Sequence, residues 1–183
     1  GILKNTKHLY YEDNFARVPQ LTMVWPSVEY YHPDSYALKV LSQYLSDGKS
    51  ATLNKILKDE LKVTSSTSMY NYSNELAGNL QLSIRAFSNV NLEEVKAGVL
   101  KAFEKFEEEG ISEKDLNRIK VGQETNFYRS LSSVLGKGTN LASYNTYTGN
   151  PGFVTKDIEN TLAVNSQDVM LSLIHISEPT RRR

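Results

Sequence analysis

A chain of 183 residues with 21 Lys plus Arg against 21 Asp plus Glu carries no formal charge, which argues against a dedicated nucleic-acid binder with its basic surplus. Apolar residues make up 39% and charged residues 23%, the balance of a globular protein built as one large domain. Cysteine is absent, which excludes disulfide scaffolds, zinc knuckles and cysteine nucleophiles, and no stretch approaches the roughly 18 apolar residues of a membrane span.

The first clear element is "PQLTMVW". Leu21, Met23 and Trp25 alternate with Thr22 and Val24, a period of two that predicts a strand with one buried face, ended by Pro26. After the loop "YYHPD", Pro33 and Asp34 open a helix. Leu38, Leu41 and Leu45 recur along it at helical spacing, and Gly48 stops it. A short helix, "ATLNKILKDEL", carries Leu53, Ile56, Leu57 and Leu61 on one side.

"KVTSSTSMYNYS" is rich in β-branched and aromatic residues and reads as a strand. "NLQLSIRAF" alternates Leu80, Leu82, Ile84 and Ala86 with Gln81, Ser83 and Arg85. With "ELAG" as the turn, the two predict an antiparallel hairpin. Asn91 and Glu94 form a capping-box-like start for a helix with Leu92, Val95, Val99, Phe103 and Phe106 in a stripe, closed by Gly110. Ser112 and Asp115 start the next helix, with Leu116, Ile119 and Phe127 inward, running toward Leu131 and Leu135. Gly136 and Gly138 weaken its continuation. A turn at Asn150-Pro151-Gly152 follows, then two short helices, the second capped by Asn165 or Ser166. The order predicts an α+β two-layer sandwich, with a mixed or antiparallel sheet and paired helices packed on one face.

No catalytic constellation stands out. His8, His32 and His175 lack metal-ligand spacing, and neither H-E-x-x-H nor H-x-x-E-H occurs. His8 and His32 read as solvent-facing. "LGKGTN" lacks the upstream Gly of a phosphate loop and reads as a helix break. Glu104, Glu107, Glu108 and Glu109 read as a solvated helix end, without the partners of a catalytic carboxylate pair. Most of the eleven tyrosines are expected to pack in strands and core, although such clusters also suit peptide or partner contact.

Several segments in order resemble one family. "PQLTMVWPSVEYYHPDSYALKVLSQYLSDGKSATLNKILKDEL" is similar to the opening of the non-catalytic repeat domain of the pitrilysin/insulinase zinc metallopeptidases. "GNLQLSIRAFSNVNLEEVKAGVLKAFEKFEEEGISEKDLNRIK" and the residues after it continue the match, over about residues 8–170. The resemblance implies a two-half clamshell around a chamber, each half with two related α+β domains. In the active half, H-x-x-E-H and a later Glu hold zinc and activate water. None of those residues is present here, so the resemblance implies no catalytic and no metal-binding residue in this chain. Zinc is expected in the parent protein, not on this fragment.

Family members also carry an Arg and a Tyr, seven residues apart, in the far half, where they bind peptide and stabilise the oxyanion. Aligned on Leu57, those positions are Lys58 and Ser65. Lys lacks the bidentate fork of Arg, and Ser is shorter than Tyr. The departure implies the second domain of the first half, supporting an upstream zinc domain. Two alternatives are a scaffold homologue without activity and a far-half domain using Lys58 and Ser65. Expected partners are the zinc domain, the far half as the same chain or a partner subunit, and a peptide substrate, with no nucleic acid and no membrane span. An exported, periplasmic bacterial-type location follows from the resemblance alone.

The closing "LSLIHISEPTRRR" matches nothing in the family. It looks like a translated transposase sequencing-library adaptor, which gives expected boundaries of 1–170 for the domain and 171–183 for a non-native tail. His175 and Arg181 to Arg183 would then have no biological role. The non-Met start reads as an internal cut.

Overall fold

The computed structural model describes residues 6–177. Three strands, β1 (Gln20–Ser27), β2 (Thr64–Ser73) and β3 (Gly78–Ala86), form an antiparallel sheet of order β1-β3-β2. The sheet is therefore wholly antiparallel, the second of the two expected forms. The period-two reading of β3 holds residue by residue: Leu80, Leu82 and Ile84 are completely buried, while Arg85 is exposed. Pro26 does not end β1, because the ladder runs on through Pro26↔Asn79 and Ser27↔Gly78. β1 has a hydrogen-bonded neighbour on one side only, and an edge strand tolerates a residue that lacks an N–H.

α1 (Pro33–Ser46) starts at the expected proline. His32 is its N-cap, with Nδ1 accepting from the Asp34 N–H at 3.2 Å. A capping role was not expected of this histidine, since Ser, Thr, Asp and Asn dominate that position. α1 packs on the sheet through Val40, Leu41 and Leu45, none of which is exposed. The Met69 N–H donates to Ser46 Oγ at 3.2 Å and ties the helix end to β2.

α2 (Thr52–Asn54) continues directly into a π-helical segment, Lys55–Glu60. Its wide turns are closed by the Leu61 N–H donating to Ile56 O, 2.9 Å. The extra residue per turn rotates Leu61 out of the apolar stripe expected for it, and it is 36% exposed. Lys62 then takes a left-handed φ of 54°, and β2 opens with a bulge between Thr64 and Ser66. Asn54 holds this region together. Its Nδ2 donates to Ser46 O and Gly48 O at 3.0 and 2.8 Å, and its Oδ1 accepts from Thr67 Oγ1 at 2.9 Å.

α3 (Leu92–Glu109) buries Val95, Val99, Phe103 and Phe106, the expected stripe. Asn91 caps it by accepting from Glu93 N–H at 2.9 Å. Gly110 closes it at φ 67°, a conformation that disfavours side chains with a Cβ. α4 (Glu113–Ser130) buries Leu116, Ile119 and Gln123. It stops short of Leu131, and α5 (Val134–Thr148) begins anew with Ser133 as its cap. Gly136 and Gly138 thus lie inside a helix rather than breaking one, and Leu135, toward which the preceding helix was expected to run, sits in the new helix and is 80% exposed. The break falls upstream at Leu131–Ser133, where the Ser133 side chain caps a new start.

α6 (Val154–Ala163) and α7 (Ser166–Ser177) follow the Asn150-Pro151-Gly152 turn. Asn165 caps α7 as expected: its Oδ1 accepts from Asp168 N–H, and Asp168 Oδ2 accepts from Asn165 N–H, both at 3.0 Å. α7 crosses the boundary expected at residue 170, and Ser172 and Leu173 are buried. The side chain of His175 and residues Arg181 to Arg183 lie outside the described residues. α1 and α3 pack directly on the sheet, and α4, α6 and α7 pack around α1.

The Ser112 cap gives a measurable expectation. Ser112 Oγ accepts from Asp115 N–H at 3.1 Å and donates to Asp115 Oδ2 at 2.7 Å. The hydroxyl, with Arg118 as a further cause, holds the Asp115 carboxyl below the usual carboxylate range. A lowered folded pKa contributes stability above the unfolded pKa, lost as pH falls through the folded value. Ser112→Ala is expected to cost about 1 kcal/mol at neutral pH, and less in acid, where Asp115 is protonated. Urea unfolding at the two pH values measures the difference.

Candidate functional site

The sheet has one face under the helices and one face that the other described residues leave bare. On the bare face the register sets four rows across β1, β3 and β2. Pro26, Asn79 and Tyr72 form the first row, and Val24, Gln81 and Tyr70 the second. Thr22, Ser83 and Ser68 form the third, and Gln20, Arg85 and Ser66 the fourth. Val24 is 56% exposed, Tyr70 53% and Tyr72 49%. Large apolar side chains at such exposure on a strand centre mark a surface suited to contact.

The bare face is chemically divided. The first two rows are apolar and aromatic, with Tyr70 and Tyr72 rings 6.1 Å apart. The last two carry hydroxyls, an amide and Arg85, with Gln20 Nε2 donating to Thr22 Oγ1 at 3.2 Å between them, and Gln81 Nε2 of the second row donates to Ser83 Oγ of the third at 3.1 Å. Arg85 is the one charged residue in the four rows, and it has no ion pair among the described residues. Sequence reading placed Gln81, Ser83 and Arg85 on one strand face but did not single them out. The signal available was the run of polar residues opposite a fully apolar face.

Lys58 and Ser65 both sit at irregular backbone. Lys58 is half-buried on the π-helical segment, and Ser65 is the exposed extra residue of the β2 bulge. Neither side chain has a hydrogen bond or ion pair among the described residues, and nothing joins one to the other.

The remaining candidates give no chemistry. His8 is exposed. Glu104, Glu107, Glu108 and Glu109 are all exposed at the end of α3, as expected. A cleft of about 100 Å³ between the helices is lined by Lys55, Lys105, Arg118, Glu109 and Asp115. Its charges neutralise one another in part, with Arg118 to Asp115 at 3.3 Å and Lys105 to Glu109 at 4.0 Å. No group of three or more His, Asp or Glu among the described residues is placed to hold a metal ion. With cysteine absent as well, the described residues do not bring together the three or four converging ligands that zinc needs. No helix among the described residues is long and apolar enough to cross a membrane.

An antiparallel sheet backed by paired helices defines a two-layer α+β domain. The chain belongs to the peptidase M16 inactive domain family, whose model matches residues 2–122. No curated protein matches the sequence. Among solved structures, a protease from Helicobacter pylori superposes with a TM-score of 0.79 at 20% identity, over 89% of this chain and 39% of that one. The periplasmic protease PqqL from Escherichia coli gives 0.70 at 14% identity, over 87% and 18%. Complex III2 from Candida albicans gives 0.70 at 18% identity, over 88% and 40%. At these identities the likeness is one of fold. The chain spans about two fifths of the Helicobacter protease chain.

Proposed function

We propose that this domain is a supporting wall of a zinc metallopeptidase that cuts peptides in an enclosed chamber. The zinc, its ligands and the general base belong to a preceding domain of the parent protein. The bare sheet face carries this reading: it presents a broad, mostly uncharged surface of hydroxyl, amide and tyrosine groups, suited to varied peptide sequence. The likeness to proteases of Helicobacter pylori and Escherichia coli supports it, and the periplasmic description of the latter favours an exported bacterial location.

The test needs the parent reading frame. H-x-x-E-H is expected in the domain before this one. The parent protein should hydrolyse a quenched fluorescent peptide in the presence of zinc, and deleting residues 6–170 should abolish that hydrolysis. This chain alone should neither hydrolyse the peptide nor bind zinc in calorimetry. Zinc-dependent cleavage by the isolated chain would overturn the proposal.

A second reading is a scaffold. The likeness to a chain of complex III2 from Candida albicans supports it, since that description names an assembly rather than a protease. Absence of H-x-x-E-H from the parent frame would favour this reading. The far-half alternative rests on Lys58 and Ser65. Lys58→Ala and Ser65→Ala in the active parent would lower turnover severely under that alternative and leave it near normal under a wall role.

A further inference from the structure

Resting on the peptide-facing reading above, we propose that the bare sheet face holds an extended peptide in a preferred register, with an acidic side chain at Arg85 and an apolar side chain at the Val24–Tyr70 row. Arg85 is exposed and has no ion pair among the described residues, and no other charged residue shares its sheet face. A guanidinium is planar and pairs bidentately with a carboxylate. A lone cation on an otherwise uncharged surface is complementary to one anionic group, not to a polyanion.

Geometry adds a second anchor. Arg85 and Gln81 lie on the same strand and the same face, four residues apart, so they are separated by about 14 Å. Gln81 is flanked across the sheet by Val24 and Tyr70. These, with Pro26 and Tyr72 in the next row, are the apolar groups of the face, and the Tyr70 and Tyr72 rings lie 6.1 Å apart. A peptide in β conformation repeats at the same rise per residue, and its side chains at i and i+4 point to the same side. A peptide lying along β3 therefore places an aromatic or aliphatic residue over Tyr70 and Val24 and a Glu or Asp four positions away at Arg85. Ser83, midway, meets the intervening residue with a hydroxyl that can donate to an acceptor or accept from a donor. The occupant is a peptide with an apolar and an acidic residue at that spacing.

The test is a titration of the isotopically labelled full chain with acetyl-Phe-Ser-Thr-Ser-Glu-amide, followed by amide NMR shifts. The reversed sequence is run beside it, because the face alone does not fix peptide direction. Each peptide is compared with its Glu→Gln counterpart. The expected result is shifts in β1, β3 and β2 on the bare face, with the Glu peptides bound about fivefold more tightly than the Gln peptides, the size of an exposed ion pair. On Arg85→Gln the preference should vanish, on Arg85→Lys part of it should return, and added salt should erase it in the wild type. Tyr70→Ser should weaken Glu and Gln peptides alike. Arg85 is exposed, so unchanged circular dichroism is expected for both of its variants.

Sheet-face shifts without a Glu preference, or a preference that survives Arg85→Gln, would overturn the register while leaving the peptide-facing reading intact. Absence of sheet-face shifts at millimolar peptide would overturn both. Concentration-dependent self-association that covers the same face would also overturn both, by giving the face to a second copy.

Discussion

Asp157→Ala is expected to lower the unfolding free energy by about 3 kcal/mol, because two buried hydroxyls lose one shared acceptor. Tyr36 Oη donates to Asp157 Oδ1 at 2.9 Å, and Tyr144 Oη donates to Asp157 Oδ2 at 2.7 Å. Tyr36 is 8% exposed and Tyr144 2%, so neither hydroxyl has free access to water after the change. The carboxylate lies in the first turn of α6, where the helix dipole favours negative charge. One side chain thereby binds three helices, α1, α5 and α6. Around it Tyr31 packs against Tyr144 and Phe153 at ring separations of 5.3 and 5.4 Å. Asp157→Asn retains an oxygen acceptor and should lose about 1 kcal/mol. Chemical denaturation at neutral pH distinguishes the two; equal loss in both variants would show that the charge matters more than the acceptor.

The same cluster gives an alkaline signature. Burial, then the charge of Asp157, pushes the Tyr31 hydroxyl up to about 12. Burial also raises Tyr36 and Tyr144, and Asp157 adds to both shifts. A raised folded pKa contributes stability that is complete below the unfolded value near 10 and is lost as pH rises through the folded value. Stability should therefore be flat to about pH 10 and fall above it. Tyr144→Phe should fall less steeply, since it removes one titrating group while keeping the ring contacts.

Elements whose cause is local were legible in the sequence. The alternation of Leu80, Leu82 and Ile84 and the α3 stripe from Val95 to Phe106 report burial directly, because period and face are set by backbone geometry. Caps at Asn91, Ser112 and Asn165 were legible for the same reason. The misses depend on neighbours. Pro26 stays in β1 because that strand is an edge, a property of the whole sheet. Leu61 leaves its stripe because the helix widens at Lys55–Glu60, which no residue type announces. The Tyr36–Asp157 bond spans 121 positions, beyond any local pattern. For the site, sequence showed that Gln81, Ser83 and Arg85 share a face. It did not show that the face is bare or that Val24 and Tyr70 flank Gln81, since both facts follow from strand order and register. Lys58 and Ser65 were found by resemblance, and their places on a π-helical segment and a bulge are features of the fold.

Gly78→Ala is expected to be among the most damaging single substitutions, at about 3 kcal/mol, the upper range for overpacking. Gly78 opens β3 and pairs with Ser27 on one side and Ser73 on the other. A Cβ there would stand 2.4 Å from Val28 O and 2.6 Å from Tyr72 O. Both are backbone oxygens, held in place by the strands around them, so no side chain can swing aside to make room. The requirement is one of space, since Gly78 is not among the positive-φ glycines. Contrast Gly98, where the nearest atoms to an added Cβ are the Leu57 Cδ2 and Leu61 Cδ1 ends, at 2.5 and 2.8 Å. Those methyl groups can rotate, and Leu61 is partly exposed, so Gly98→Ala should cost less despite its buried position. The Gly78 clash also reaches the bare face, because relieving it moves the Tyr72 carbonyl and with it the end of β2. Thermal unfolding of the two glycine variants, with amide shifts of Tyr70 and Tyr72 recorded on each, measures both effects. A Gly78→Ala protein as stable as wild type, with those shifts unmoved, would show that the Val28 and Tyr72 carbonyls give way more easily than the packing of the three strands implies.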